Sequence, residues 1–198
     1  MRAPGPIRYR ELKRTDWPLV ARLFGPNGAC AGCWCMWWRL PRGGKLWLET
    51  KGERARRQLR RRVGSGRVHG ILAFEGKRPV GWCAFDPREE FPRLDRVRAF
   101  ARPDDAPVWS IPCFFIAREY RGRGISRGLL KAAVAAARKR GARILEGYPV
   151  TPSRRGKRLP PAFSYTGPMK IFEENGFKVV RRSKPWTPLV RRTLAGGN

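Results

Sequence analysis

The chain has 198 residues, 41% of them hydrophobic, with 8 Trp and 10 Phe. That is enough apolar material for one folded domain with a real core, too little length for two, and a composition that excludes a disordered chain. Forty-four basic residues against 15 acidic ones give a net charge of +29 at pH 7, which attracts polyanions, and no apolar run of about 18 residues exists to cross a membrane. The amino-terminal stretch MRAPGPIRYRELKRTDW has no apolar segment behind its charges, so it does not read as a secretory signal. With an odd five cysteines, the expectation is reduced thiols and a cytoplasmic setting. Arg outnumbers Lys 34 to 10, as GC-rich coding would produce. Such bias leaves the scarcity of acidic residues unexplained, so RNA or another polyanion stands beside it as a reading.

Ile7 to Lys13 reads as a strand, and Thr15-Asp16 as the cap of a helix that stops near Gly25-Pro26. The next stretch, CAGCWCMWW over residues 30–38, carries Cys30, Cys33 and Cys35 in a C-x2-C-x-C pattern. It lacks the second pair that a closed zinc site needs, so packing thiols and tryptophans around a substrate entrance is the preferred reading, and no metal is expected. Trp34, Trp37 and Trp38 would line an apolar or cation-binding pocket there. Residues 49–63 suit a helix with Ala55, Leu59 and Val63 on one narrow apolar line and arginine on its other faces.

Val68 to Glu75 and Arg78 to Phe85, separated by Gly-Lys, read as a hairpin. His69 begins the first of these strands and reads as structural. A charged, partly helical stretch over 88–99 precedes VWSIPCFFI, 108–116, which reads as a central strand with a bulge or splay at Pro112. Cys113 is expected as a packing thiol. YRGRGIS then leads into a helix from Ile125 to Arg140, closed by Gly141, and Arg143 to Val150 is the next strand. A Pro/Arg/Ser-rich loop over 151–166, a short helix over 167–175 and a strand pair, 177–182 with 189–194, complete the chain.

A glycine turn that opens into a helix offers unpaired N–H groups and a positive dipole end, and so wraps an anion. Gly122, Gly124 and Gly128 do not have the dinucleotide-fold spacing, too little chain follows for that fold, and no GxxxxGK[ST] is present. What survives is a pyrophosphate cradle. YRGRGIS, the preceding CFFI, the following LLKAAVAAARKRGARIL and the later IFEENGF resemble the GNAT superfamily of N-acetyltransferases in order over roughly 65–195.

The resemblance implies an α/β GNAT-type acyl-CoA N-acyltransferase fold, a mixed and mostly antiparallel sheet flanked by helices. It would occupy residues 1–198 as one domain, with a strand-helix and Cys/Trp region over 1–64. It further implies acetyl-CoA as co-substrate, held by Arg121, Gly122, Arg123, Gly124, Ile125 and Ser126 at the diphosphate and by Phe114, Phe115 and Ile116 along the pantetheine. An amine acceptor completes the reaction.

Phe172 stands where many members carry a proton-donating tyrosine, which leaves Tyr165 and Tyr148 as donor candidates. Glu146, at the end of an apolar strand, is the candidate base, or else the partner of an arginine. Arginines 54, 56, 57, 60, 61 and 62, with Arg154, Arg155, Lys157, Arg158, Arg181, Arg182 and Lys184, form three basic clusters. If they share a side, an RNA-borne amine becomes an acceptor. A small amine, a protein amino group, and a non-catalytic RNA- or ribosome-binding module on the same fold are the alternatives.

Overall fold

Gly76 takes φ 57° at the tip of the expected hairpin, and around it the first strands of the sheet assemble. A computed structural model describes residues 5–151, 164–183 and 187–194. Seven strands are present among them: β1 (Ile7–Glu11), β2 (Gly70–Glu75), β3 (Arg78–Pro87), β4 (Trp109–Ile116), β5 (Ile144–Gly147), β6 (Lys178–Arg182) and β7 (Pro188–Thr193). They form one sheet in the order β1-β2-β3-β4-β5-β7-β6. Every neighbouring pair is antiparallel except β4 and β5. A parallel pair needs a crossover, and α4 (Ile125–Lys139) supplies it.

Helix α4 buries Ile125, Leu129, Leu130, Ala133, Val134, Ala136 and Ala137, the spacing of a single apolar face. That face packs with Ile71, Ala73, Val80, Phe85 and Ile111 on one side of the sheet. The other side is covered by α1 (Trp17–Phe24), α3 (Glu53–Ser65) and the Cys/Trp stretch, which pack on Leu72, Phe74, Trp82 and Ala84. The remaining helices are α2 (Lys45–Thr50) and α5 (Met169–Glu174).

Local details depart from the sequence expectation for identifiable reasons. The helix expected over 49–63 is broken into α2 and α3, because Gly52 adopts φ 78° and sends its N–H to the Gly32 carbonyl at 2.8 Å. Asp16 precedes α1 without capping it. Its Oδ2 instead accepts the Lys13 N–H at 2.7 Å, and both its oxygens accept from Arg10. Burial pushes this carboxyl up, and those partners more than offset it, leaving it below its ordinary value. The charged stretch after β3 forms three single 3-10 turns at 88–90, 94–96 and 98–100. Strand β5 is four residues long; beyond it, Val150 bridges to Pro168. Much of the 151–166 loop lies outside the described residues.

The approach of α4 to β1 depends on Gly128, where a Cβ would lie 2.2 Å from the Tyr9 ring. Gly128→Ala is therefore expected to cost about 1–3 kcal/mol through overpacking, despite the better helix propensity of alanine. Denaturant unfolding measures this, and wild-type stability in the variant would contradict the close contact.

Candidate functional site

The ladder between β4 and β5 covers only Trp109–Ile111 on β4 and Leu145–Gly147 on β5. The next residue is Pro112, which has no N–H to continue it. Ala117 donates to the Val80 carbonyl on the β3 side, so by alternation the main-chain groups of 113 and 115 also face β3, while those of 114 and 116 face the gap. This corrects one expectation. Phe115 is engaged opposite Trp82 in the β3 ladder, and only Phe114 and Ile116 present main-chain groups to the opening. Of these, the Phe114 N–H already donates to the Tyr165 carbonyl at 2.6 Å, and the Ile116 carbonyl accepts Arg121 Nε at 3.2 Å.

Where the strands separate, the ladder is locked by a buried ionic network. Glu146 is fully buried, and its Oε1 takes Arg88 Nη1 and, at 2.6 Å, the Tyr148 hydroxyl. Its Oε2 takes Arg191 Nε at 2.8 Å. The Tyr148 hydroxyl also meets Ser110 Oγ at 2.8 Å, and Ser110 stands opposite Glu146 in the ladder. Of the two arrangements open to Glu146, the paired one is found: a carboxylate held by two guanidiniums. Burial and the adjacent Glu146 charge push the Tyr148 phenol well above its ordinary value. Arg88 also bonds Asp95 and the Phe100 carbonyl.

The glycine turn is open. Gly122 (φ 80°) and Gly124 (φ 71°) both take left-handed backbone, and a Cβ at either would meet nothing within 4 Å. Arg121 spends its N–H on the Arg118 carbonyl, so the run of N–H groups left without a backbone acceptor starts at Gly122. No backbone acceptor among the described residues meets the N–H groups of Gly122, Arg123 and Gly124. Those of Ile125 and Ser126 belong to the first turn of α4, where no intrahelical partner exists.

Side chains fix this turn from outside. Arg123 donates to Glu75 Oε1 at 2.8 Å, and the Tyr120 hydroxyl donates to Glu75 Oε2 at 3.0 Å. Arg123 holds the Glu75 carboxyl below the ordinary carboxylate value. Arg127 grips both oxygens of Glu174 at 2.6 and 3.0 Å, tying the start of α4 to α5.

On the α1/α3 side of the gap lie Trp37, Trp38, Tyr165, Cys35 and Cys113, whereas Cys83 faces α4. The Trp37 face is covered by Arg93 at 3.5 Å from its centroid, and Arg56 lies over Trp34 at 5.7 Å. These rings are therefore partnered internally and do not form an open cation cage. Trp38 Nε1 and Thr166 Oγ1 are buried without hydrogen-bond partners among the described residues. Tyr165 packs on Trp38, and burial, then Cys113 and Cys33, push its phenol to about 12. A cleft of about 490 Å³ opens above Phe115 and Ala117, with Arg22, Arg78 and Arg118 at its rim. Among the described residues, no three His, Cys, Asp or Glu side chains are placed to hold a metal ion. His69 sits apart, with Nδ1 on Asp86 at 2.5 Å.

Residues 31–157, more than half of the chain, match the model of the Acetyltransferase (GNAT) family. The chain belongs to that family. A search of the curated proteins found no match. Solved structures share the fold at low identity. YncA of Salmonella typhimurium, solved with its cofactor acetyl-CoA, is 13% identical at a TM-score of 0.53, covering 96% of this chain and 94% of that one. PaiA N-acetyltransferase of Thermoplasma acidophilum, in complex with coenzyme A, is 16% identical at 0.52, covering 96% and 99%. An N-acetyltransferase of Staphylococcus aureus Mu50 is 13% identical at 0.52, covering 96% and 100%.

Within this GNAT fold, the residue that sequence reasoning passed over is Arg88. As one arginine among 34 it carried no signal of burial, although it is wholly enclosed. Arg88→Ala would leave the buried Glu146 carboxylate with Arg191 as its one cationic partner, beside the Tyr148 hydroxyl, at an expected cost of about 3–5 kcal/mol. Urea unfolding reads this directly; a loss below about 1 kcal/mol, the range of exposed pairs, would contradict the buried network.

Proposed function

We propose that this GNAT-family protein transfers the acetyl group of acetyl-CoA to a primary amine. The observation that carries the reading is the run of unpartnered N–H groups from Gly122 to Ser126 at an open, left-handed turn. Such a run fits a diphosphate: the donors have no acceptor among the described residues, the helix dipole favours negative charge, and a Cβ at Gly122 or Gly124 would meet nothing within 4 Å. The Ile116 N–H and the Phe114 carbonyl, on the open side of β4, suit the amides of the pantetheine arm. Acetyl-CoA supplies an acyl group already activated as a thioester.

This chain's own groups orient that thioester, exclude water and manage protons. Tyr165 is the assigned proton donor, because its carbonyl is bonded to Phe114 and its ring lies on the side of the gap where the cysteines gather. Tyr148 and Glu146 act at one remove, holding β4 and β5 together at the foot of the opening. The amine must arrive unprotonated, with its proton released to water.

A second reading, that the acceptor is borne on RNA, is favoured by the outer face of α3. Arg54, Arg57, Arg60 and Arg61 are exposed, and no carboxylate among the described residues pairs with them. Arg181 and Arg182 lie on β6, at the far edge of the sheet, away from this ridge. Arg154, Arg155, Lys157, Arg158 and Lys184 lie outside the described residues.

Gly124→Glu, which places a side chain and a negative charge in the cradle, should abolish coenzyme A binding by calorimetry while leaving the fold intact by circular dichroism. Undiminished binding would refute the cradle. For the acceptor, replacing Arg54, Arg57 and Arg61 by Gln should make the log–log salt dependence of single-stranded RNA binding shallower by about 2. An unchanged slope would remove α3 from RNA recognition.

A further inference from the structure

Two clefts open on the α1/α3 side of the sheet, and they differ in how their charge is answered. The smaller, about 450 Å³ beside Trp34, is balanced from within: Arg56 pairs with Glu53 at 3.2 Å and lies over the Trp34 ring. The larger, about 490 Å³, lies between the end of α1, the start of β3 and the residues just past β4. Arg22 lines both.

The larger cleft has more cations than it has partners for them. Its one carboxylate, Glu119, is taken by Arg78, whose guanidinium also lies over the Tyr120 ring at 5.4 Å. Arg22 and Arg118 are exposed, and no carboxylate among the described residues pairs with either. Arg22 stands in the last turn of α1, where the helix dipole favours a cation. Arg118 has no such reason. It sits in a single 3-10 turn held by the Tyr120 N–H on the Ala117 carbonyl at 2.9 Å and the Arg121 N–H on the Arg118 carbonyl at 3.3 Å. Like charges on one cleft repel, and an anion between them turns that cost into a gain.

Below this cationic rim the walls are apolar. Leu23 and Pro79 are buried, Phe115 is half-buried and meets Phe24 edge-on at 5.5 Å, and the Ala117 N–H is fixed on the Val80 carbonyl at 3.0 Å. Apolar walls with a few placed charges are the make-up of a small-molecule site. They suit a short run of methylene groups ending in an anion.

The cleft also adjoins the strand assigned to the pantetheine. Leu23 and Phe115 pack on the α1/α3 side, whereas Ile125 and the rest of the α4 face pack on the other. The arginine rim and the helix that carries the glycine cradle therefore lie on opposite faces of the sheet. From Ala117 back to Phe114, whose carbonyl faces the opening, the chain advances about 10 Å at roughly 3.3 Å per residue.

We infer, on the reading of acetyl-CoA as donor, that the acceptor is an elongated primary amine whose far end is anionic, a carboxylate or phosphate held by Arg22 and Arg118 about 10 Å from the nitrogen. Its aliphatic middle lies on Leu23, Pro79 and Phe115, and its amine reaches the thioester beside Phe114. An anionic end also offsets the repulsion between an ammonium group and a chain of net charge +29. The nitrogen forms its bond to the acetyl carbon, the carbon–sulfur bond breaks, and the electron pair leaves with the coenzyme sulfur. Tyr165 protonates that sulfur and is reprotonated from water, which receives the proton lost by nitrogen.

The test follows release of free coenzyme thiol by the full chain with acetyl-CoA and matched acceptors: 6-aminohexanoate, 6-aminohexyl phosphate, hexylamine and hexane-1,6-diamine. At least one anionic acceptor should exceed hexylamine in kcat/KM by about tenfold, the scale of a hydrogen bond to a charged group. Replacing Arg22 and Arg118 together by Gln should erase this preference through KM, and Arg118→Glu should turn it toward the diamine. Arg138→Gln, exposed at the far end of α4, should leave it unchanged. If hexylamine serves as well as both anionic acceptors, or the double variant keeps the preference, the anionic acceptor is refuted while the acetyl-CoA reading stands. Calorimetry with coenzyme A and dephospho-coenzyme A tests the other source of an anion. If the double variant weakens only coenzyme A, these arginines hold the 3′-phosphate of the coenzyme and the acceptor assignment falls. If no amine is acetylated and coenzyme A does not bind, both readings fall.

Discussion

The separation of β4 from β5 is the constraint on which the rest of the molecule depends. Two adjacent parallel strands have every reason to stay paired, because each unpaired N–H or carbonyl left in a partly buried gap carries a cost. Here pairing stops at Ile111 and Gly147, since Pro112 has no donor to offer. The strands are kept from parting further by the Glu146 carboxylate, clasped by Arg88, Arg191 and Tyr148 at the foot of the opening. A buried ionic cluster of this kind contributes little net stability over an apolar core of similar shape. Its value here is positional: it holds the last paired residues of β4 and β5 together at the foot of the opening.

The arginines divide into two populations with different physics. Arg39 and Arg88 are enclosed, with every guanidinium serving a carboxylate, a carbonyl or an aromatic face. Arg93 and Arg56 lie on the rings of Trp37 and Trp34, where the stacked cation also shields an aromatic surface from water. The outer arginines of α3 do none of this. Because the net charge of +29 already subtracts the acidic residues, these pairings do not lessen it; they fix individual guanidiniums in place.

Legibility in the sequence followed locality. YRGRGIS announced an open turn because only glycine takes left-handed backbone without a Cβ penalty, and both Gly122 and Gly124 do so. Pro112 announced the splay because the missing donor is a property of the residue itself. The order of strands and helices was readable for the same reason, through hydrophobic period and turn residues. Arg88 and Glu146, by contrast, are 58 residues apart, and nothing local identifies one arginine of many as the buried one. Gly52 was hidden inside a helical pattern, and its break depends on a distant partner at Gly32. The facing of Phe115 toward β3 depends on register, which the hydrophobic run VWSIPCFFI does not encode. The Cys/Trp stretch was visible as unusual, but the left-handed backbone of Trp34 and Cys35 and the Trp82 hydrogen bond to the Cys35 sulfur come from tertiary packing.

Amide hydrogen exchange with and without coenzyme A tests the central claim most directly, because it reads the main-chain donors themselves. The account predicts that binding slows exchange at Gly122, Arg123, Gly124, Ile125 and Ser126 and at Ile116, and leaves Phe115, already bonded in the β3 ladder, unchanged. Coenzyme A that binds without protecting the turn and the open side of β4, or that protects a different segment, would contradict it.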